Sequence, residues 1–210
     1  VEDYWMNFAK VGNYVWYDSN YDGKQNEGFV DGMNGVSVEL TWAGEDGIFG
    51  TGDESSFTTI TQNIDGIDGK YCFLGLTAGQ TYRLNAITPE DYRPSKELNT
   101  GIDVNDSNSP MIEFTLNDPI DTQPTNENGT GDTPGTDNNY TDEQDNLTFD
   151  FAYVAFDYGD LPNEFATTDA NSGAYHVINK GMYLGSGVDS ELDGTPETKA
   201  GLDGTLGDDG

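Results

Sequence analysis

About seven short runs of alternating side chains, separated by turns bearing glycine or aspartate, constrain most strongly what this chain can fold into. In the run 10–18, KVGNYVWYD, Val11, Asn13, Val15 and Tyr17 fall on one face, and Gly12, Tyr14 and Trp16 on the other. Both faces carry apolar groups, so the spacing predicts a strand covered on both sides. In 35–42, Val36, Val38 and Leu40 oppose Ser37, Glu39 and Thr41, the pattern of a half-buried strand. Further runs span 55–62, 70–76, 81–88, 111–117 and 147–156; they align Tyr71 with Phe73, Tyr82 with Leu84, Ile112 with Phe114, and Phe149 with Phe151. No segment carries a helical period. The expectation is an all-β chain, an antiparallel β-sandwich with long acidic loops.

Charge sets the second limit. Of 210 residues, 39 are Asp or Glu and 8 are Lys or Arg, for a net charge of -31. Such a chain repels itself when compact unless cations screen or bind it. Nucleic acid and anionic membrane surfaces are expected to be poor partners, and divalent cations natural ones. Strong acidity also accompanies disorder, but 12 Tyr, 10 Phe and 3 Trp supply material for a core. The single cysteine, Cys72, permits no internal disulfide and is expected to be half-buried in its strand. No apolar run approaches the ~18 residues of a membrane span. The opening VEDYWMNFAK has neither the basic start nor the apolar stretch of a signal peptide, as expected of a mature secreted segment. An extracellular, calcium-rich setting is expected.

The expected organisation is a lead-in over 1–9, a sandwich over 10–155, and an incomplete second β-type module over 156–210. Within the sandwich, 118–146 is a long polar excursion, too poor in apolar groups to order itself.

Between the first two runs lies YDSNYDGKQNEG, 17–28. Asp18, Asn20 and Asp22 alternate before Gly23, so three side-chain oxygens can turn inward while the glycine allows a sharp bend. Lys24 would add its backbone carbonyl. Ca2+ takes roughly six to eight oxygens, and a closing acid is needed. The twelfth loop position holds Phe29, leaving Glu27 or Asp31 to close the shell; a metal-free polar turn is the plain alternative. A second acidic cluster joins Asp46, Asp53 and Glu54, with Ile48 and Phe49 expected to tuck inward. A third holds Asp103, Asn105, Asp106 and Asn108. The tail acids Asp189, Glu191, Asp193, Asp203, Asp208 and Asp209 are similar in kind. One to three calcium ions are expected.

These residues resemble a family. GNYVWYDSNYDGKQ, followed by Gly32, Gly35, Val36, Val38 and Leu40, is very close to the opening of the B-type repeats of serine–aspartate repeat adhesins. DGKYCFLGLTAGQTYRL (68–84) and DNLTFDFAYV (145–154) resemble that family's later strands. The resemblance covers about 10–155 and implies an immunoglobulin- or prealbumin-like sandwich that binds calcium and acts as a rigid stalk. The family's closing acid would fall at Val30; Asp31 lies nearest to it, with Glu27 second. Residues 157–194 resemble a stretch that precedes GEVED-type modules in bacterial surface proteins. Some related sandwich domains carry a Lys–Asn or Lys–Asp isopeptide bond between first and last strands; Lys10 and Asp150 would be the pair here.

No catalytic residues are expected. The only histidine, His176, sits in the apolar run AYHVI and is expected to be packed and hydrogen-bonded. No G-x-x-x-x-G-K-[ST] or H-E-x-x-H motif is present. The reading is a calcium-stabilised stalk module of a large bacterial surface or secreted adhesin, with neighbouring domains of the same chain as partners. The alternatives are a module binding a host or environmental glycan or protein through Trp5, Trp16, Trp42 or Tyr140, and an accessory domain of a secreted enzyme.

Overall fold

The computed structural model describes residues 8–27, 31–97, 107–116, 146–159, 161–179, 188 and 190–194. Its strands are β1 (Phe8–Tyr17), β2 (Ser37–Trp42), β3 (Ser55–Ile60), β4 (Gln62–Ile64), β5 (Ile67–Thr77), β6 (Thr81–Ala86), β7 (Arg93–Pro94), β8 (Met111–Thr115), β9 (Asn146–Val154), β10 (Phe156–Tyr158) and β11 (Tyr175–Val177). One sheet runs β4-β5-β1-β9-β7, a second β3-β2-β6-β8, and β10 and β11 form a two-stranded ribbon. Two three-residue 3-10 turns lie wholly among the described residues, Asn163–Phe165 and Asp169–Asn171, and no helix there is long and apolar enough to cross a membrane.

The core lies between the two large sheets. Val11, Val15, Tyr71, Phe73, Phe149 and Phe151 from one sheet meet Val38, Leu40, Tyr82 and Leu84 from the other. On the outer side of β1, Tyr14 and Trp16 are fully buried against Ala152 and stack with ring centroids 6.1 Å apart. The strand is thus covered on both faces, as its alternation predicts. Lys70 on β5 reaches across the ladder to donate to Asn13 Oδ1 at 2.7 Å. Burial pushes its pKa down, and the Asp150 charge opposes that.

The all-β sandwich stands as expected, and four details stand beside the expectations. First, one neighbouring pair is parallel: β1 and β9, the first and last strands of their sheet. Parallel neighbours cannot be joined by a tight turn; here every intervening strand of the sandwich serves as their connection. Secondly, β1 starts at Phe8, inside the expected lead-in, and the last run splits at Ala155, whose carbonyl accepts from Ile178 N–H at 3.0 Å. Thirdly, Asp150 pairs with Tyr14. Lys10 stands four positions earlier on β1, about 13 Å along the strand, too far to bond Asp150. Fourthly, His176 on β11 is exposed rather than packed. The ribbon has only one buried side, and the alternation turns His176 away from it.

The stretch from 156 onward, expected to open a second module, lies against the sandwich in its described part. The Tyr17 hydroxyl donates to the Ile178 carbonyl, and the Tyr21 and Phe156 rings meet edge to face at 5.3 Å. Arg93 on β7 lies over both the Phe156 and Tyr158 rings and pairs with Asp169 at 3.6 Å. Of the excursion at 118–146, only Asn146 lies among the described residues, and it begins β9.

Candidate functional site

β1 ends at Tyr17 and delivers Asp18, which is fully buried, beneath the adjoining loop. Its N–H donates to the Tyr153 carbonyl at 2.9 Å, anchoring the loop on β9. Its Oδ1 accepts from Asp22 N–H at 3.2 Å. Its Oδ2 accepts from Gly23 N–H at 2.7 Å and from the Ser95 hydroxyl. Tyr21 and Gly23 take positive φ, 55° and 76°, so the chain curls with its amides facing the Asp18 carboxylate.

The alternating residues line the same turn. Asn20 Oδ1 accepts from Asp22 N–H at 2.9 Å, and Asp22 Oδ1 from Lys24 N–H at 2.9 Å. Asn26 bridges the two, accepting from Asn20 Nδ2 and donating to Asp22 Oδ2, each at 2.8 Å. The Lys24 carbonyl accepts from Asn26 N–H at 2.8 Å.

Glu27 closes the turn in space. Both its carboxylate oxygens are sealed from solvent, and no donor meets either with full hydrogen-bond geometry. Burial raises its pKa, and the adjoining Asp18 carboxylate raises it further; the N–H groups of Glu27 and Asn20 act in the opposite sense. Asp31 is separated from Glu27 in the chain by residues 28–30; burial chiefly raises the pKa of Tyr14 and of Tyr17, and the Asp31 charge acts in the same sense on both. Asp18 and Glu27 therefore form a facing pair of acids, with the amide oxygen of Asn20, the Asp22 carboxylate and the Lys24 carbonyl around the same bend. Among the described residues, no three His, Cys, Asp or Glu side chains gather into one metal-holding group. The remaining oxygens of this turn belong to an amide and a carbonyl, and Asp22 is turned toward Asn26.

The second cluster is organised differently. Asp53 accepts from Glu45 N–H at 2.9 Å and from the Thr51 hydroxyl at 2.8 Å. Glu54 accepts from Gly50 N–H, from Thr51 N–H at 3.0 Å, and from Gly52 N–H at 2.9 Å. Asp46 accepts from Ile48 N–H at 2.9 Å. The Thr51 hydroxyl chiefly holds the Asp53 carboxyl below its usual range, and backbone amides do so for Glu54. These acids are satisfied by their own loop. Ile48, expected to tuck inward, is 60% exposed; Phe49 lies under the Arg83 guanidinium at 4.0 Å.

Asp103, Asn105 and Asp106 lie outside the described residues. Their neighbours Ser107 and Asn108 are fastened to the first loop and to β9. Ser107 N–H donates to the Gly23 carbonyl at 2.9 Å and its hydroxyl accepts from Ala152 N–H at 3.0 Å. Asn108 Oδ1 accepts from Asp150 N–H at 2.8 Å. Sequence reasoning did not find Ser95 or Ser107; each is remote in the chain from Asp18 and carries no local motif. Of the tail acids, Glu191 accepts from Tyr158 N–H at 2.7 Å and Asp193 from Asp169 N–H at 2.6 Å; Asp189, Asp203, Asp208 and Asp209 lie outside the described residues. Of the aromatic candidates, Trp16 is core and Trp42 is half-buried, donating to Gln80 at 3.1 Å. Trp5 and Tyr140 lie outside.

Residues 9–134 match the family model of the SdrD B-like domain. Serine-aspartate repeat-containing protein D of Staphylococcus aureus (strain Newman) is 33% identical over 216 residues, an alignment covering 91% of this chain and 15% of that protein. Serine-aspartate repeat-containing protein F of Staphylococcus epidermidis is 36% identical over 108 residues, covering 51% of this chain and 5% of that protein. The chain thus spans a small part of the length of the relatives it matches.

Proposed function

The chain belongs to the SdrD B-like domain family, and from that premise we propose that it is a calcium-stabilised, non-catalytic structural module of a large bacterial surface adhesin. The Glu27 carboxylate carries this reading. Its two oxygens are sealed without a donor of full hydrogen-bond geometry and face the buried Asp18. Two like charges set together away from water are unstable unless a cation joins them. Asp18, Asn20, Asp22, the Lys24 carbonyl and Glu27 would hold the ion, with Glu27 rather than Asp31 as the closing acid. The ion supplies charge neutralisation and draws separate parts of the loop to one point.

The Asp18 carboxylate already bonds Ser95, and the Gly23 carbonyl bonds Ser107. An ion at this loop therefore tightens segments otherwise distant in sequence, and the resulting rigidity is the function. The setting is extracellular, and the neighbours are other domains of the same chain.

Calcium titration followed by thermal melting and limited proteolysis tests the proposal. A ligand at about a thousandfold excess over its Kd stabilises by roughly 4 kcal/mol, which for a domain of this size raises Tm on the order of 10 °C. Asp18→Ala and Glu27→Gln should abolish the calcium-dependent rise, whereas Asp31→Asn should retain it. The proposal fails if EDTA alters neither Tm nor protease resistance in the parent protein.

A further inference from the structure

β3 and β4 are two halves of one extended segment that changes sheets at Thr61. Up to Ile60 it pairs with β2; from Gln62 it pairs with β5, opposite Lys70. Thr61, 2% exposed, pins the crossing: its hydroxyl donates to the Met33 carbonyl at 2.6 Å and accepts from Val36 N–H at 2.9 Å. Because the segment leaves β5 here, residues 71–77 of β5 pair with β1 on one side and with no described strand on the other. Among the described residues β3 likewise pairs with β2 alone, while at the end of β5 the Tyr82 hydroxyl already bonds both the N–H and the carbonyl of Thr77. The two open edges diverge and bound a cleft of about 620 Å³, whose lining includes Trp42, Glu45, Phe57, Leu74, Leu76 and Tyr82.

The cleft mouth is apolar. Leu74 is 74% exposed and Phe57 54%. Natural edges are usually blunted by lysine, proline or inward charge, yet residues 71–77, YCFLGLT, hold none of these. The one irregularity is a bulge: Phe73 and Leu76 face Val11 and Ala9, leaving Leu74 and Gly75 opposite Lys10. Leu74 remains part of the cleft lining.

We propose that this cleft receives an extended peptide segment of a partner protein, added as a strand to β5 in the lane that β4 vacates. An open strand edge offers backbone N–H and C=O groups at ladder spacing, which another backbone satisfies. The side chains then alternate, one toward the Phe57 and Leu74 wall and the next outward. Glu45, exposed in the cleft lining, with Asp53 bonded to its N–H, on a chain of net charge -31, selects a basic rather than an acidic segment. The site uses none of the first loop's residues, so it stands or falls separately from the metal.

The test uses the full chain in calcium, isotope-labelled for NMR, with three synthetic peptides of equal length. One alternates Val and Lys, one alternates Val and Glu, and the third is the Val–Lys peptide N-methylated along one edge of its backbone. The Val–Lys peptide should saturably shift the amides of Cys72–Leu76 and the Trp42 indole. N-methylation, Val–Glu alternation and the exposed-site variant Leu74→Lys should each weaken binding about tenfold or more, some 1.4 kcal/mol. The proposal is overturned by the lack of a saturable shift at these positions. It is equally overturned by affinity indifferent to N-methylation, or by an oligosaccharide panel shifting these signals in place of the peptides.

Discussion

Glu27 concentrates the chemistry of the first loop in one residue. Its folded pKa is raised above the unfolded value of 4.5, because burial and the Asp18 carboxylate both disfavour the charged form. The folded state therefore holds the proton more tightly than the unfolded state does. In calcium-free protein this contribution is present in full below pH 4.5 and lost as pH rises through the raised value. Glu27→Gln should flatten that part of the calcium-free stability profile, read by urea denaturation at a series of pH values. Saturating calcium should flatten it in the parent protein as well, since the bound cation favours the carboxylate. A profile identical in parent and variant would show that the carboxyl pair carries no linkage. Asp53 and Glu54 make the contrast: surrounded by their own loop's donors, they need no such partner.

At the scale of the element, β1 and β3 behave oppositely although both are strands of the same sandwich. β1 is buried on both faces between two clusters; β3 is largely exposed. Trp16 is fully buried and stacked on Tyr14, so Trp16→Ala should destabilise by about 3–5 kcal/mol. Thr58→Lys on exposed β3 should stay within about 0.5 kcal/mol. Chemical denaturation of the two variants checks both figures. The alternation in 10–18 announces this, because apolar side chains occur on both of its faces. The run 55–62 announces a strand but conceals its break at Thr61, since a strand that changes sheets keeps the same period of two.

At the scale of the whole molecule, the first loop is coupled to the ribbon on the C-terminal side of the sandwich. Tyr21 of the loop packs on Phe156, Tyr17 bonds Ile178, and Val154, Phe156 and Tyr158 form one buried cluster. Deleting residues 156–210 uncovers this face. Each large apolar side chain exposed costs about 1.5–3 kcal/mol, so the urea midpoint should fall distinctly. A midpoint unchanged by the deletion would mean that the ribbon is an independent unit merely resting on the sandwich.

The sequence alone located the main strand runs, though not β7 or β11, and the bend at Asp18–Gly23, because side-chain period and positive-φ turns are local properties of a few adjacent residues. It also identified the family. Only the tertiary structure decided that β1 and β9 lie side by side in parallel, that Ser95 and Ser107 close on the first loop, and that the Glu27 carboxylate is buried beside Asp18. It alone revealed the cleft left where β4 parts from β3. Those outcomes depend on which strands become neighbours, and that is settled by burying a common core across long separations in sequence, where no local pattern reports the partner.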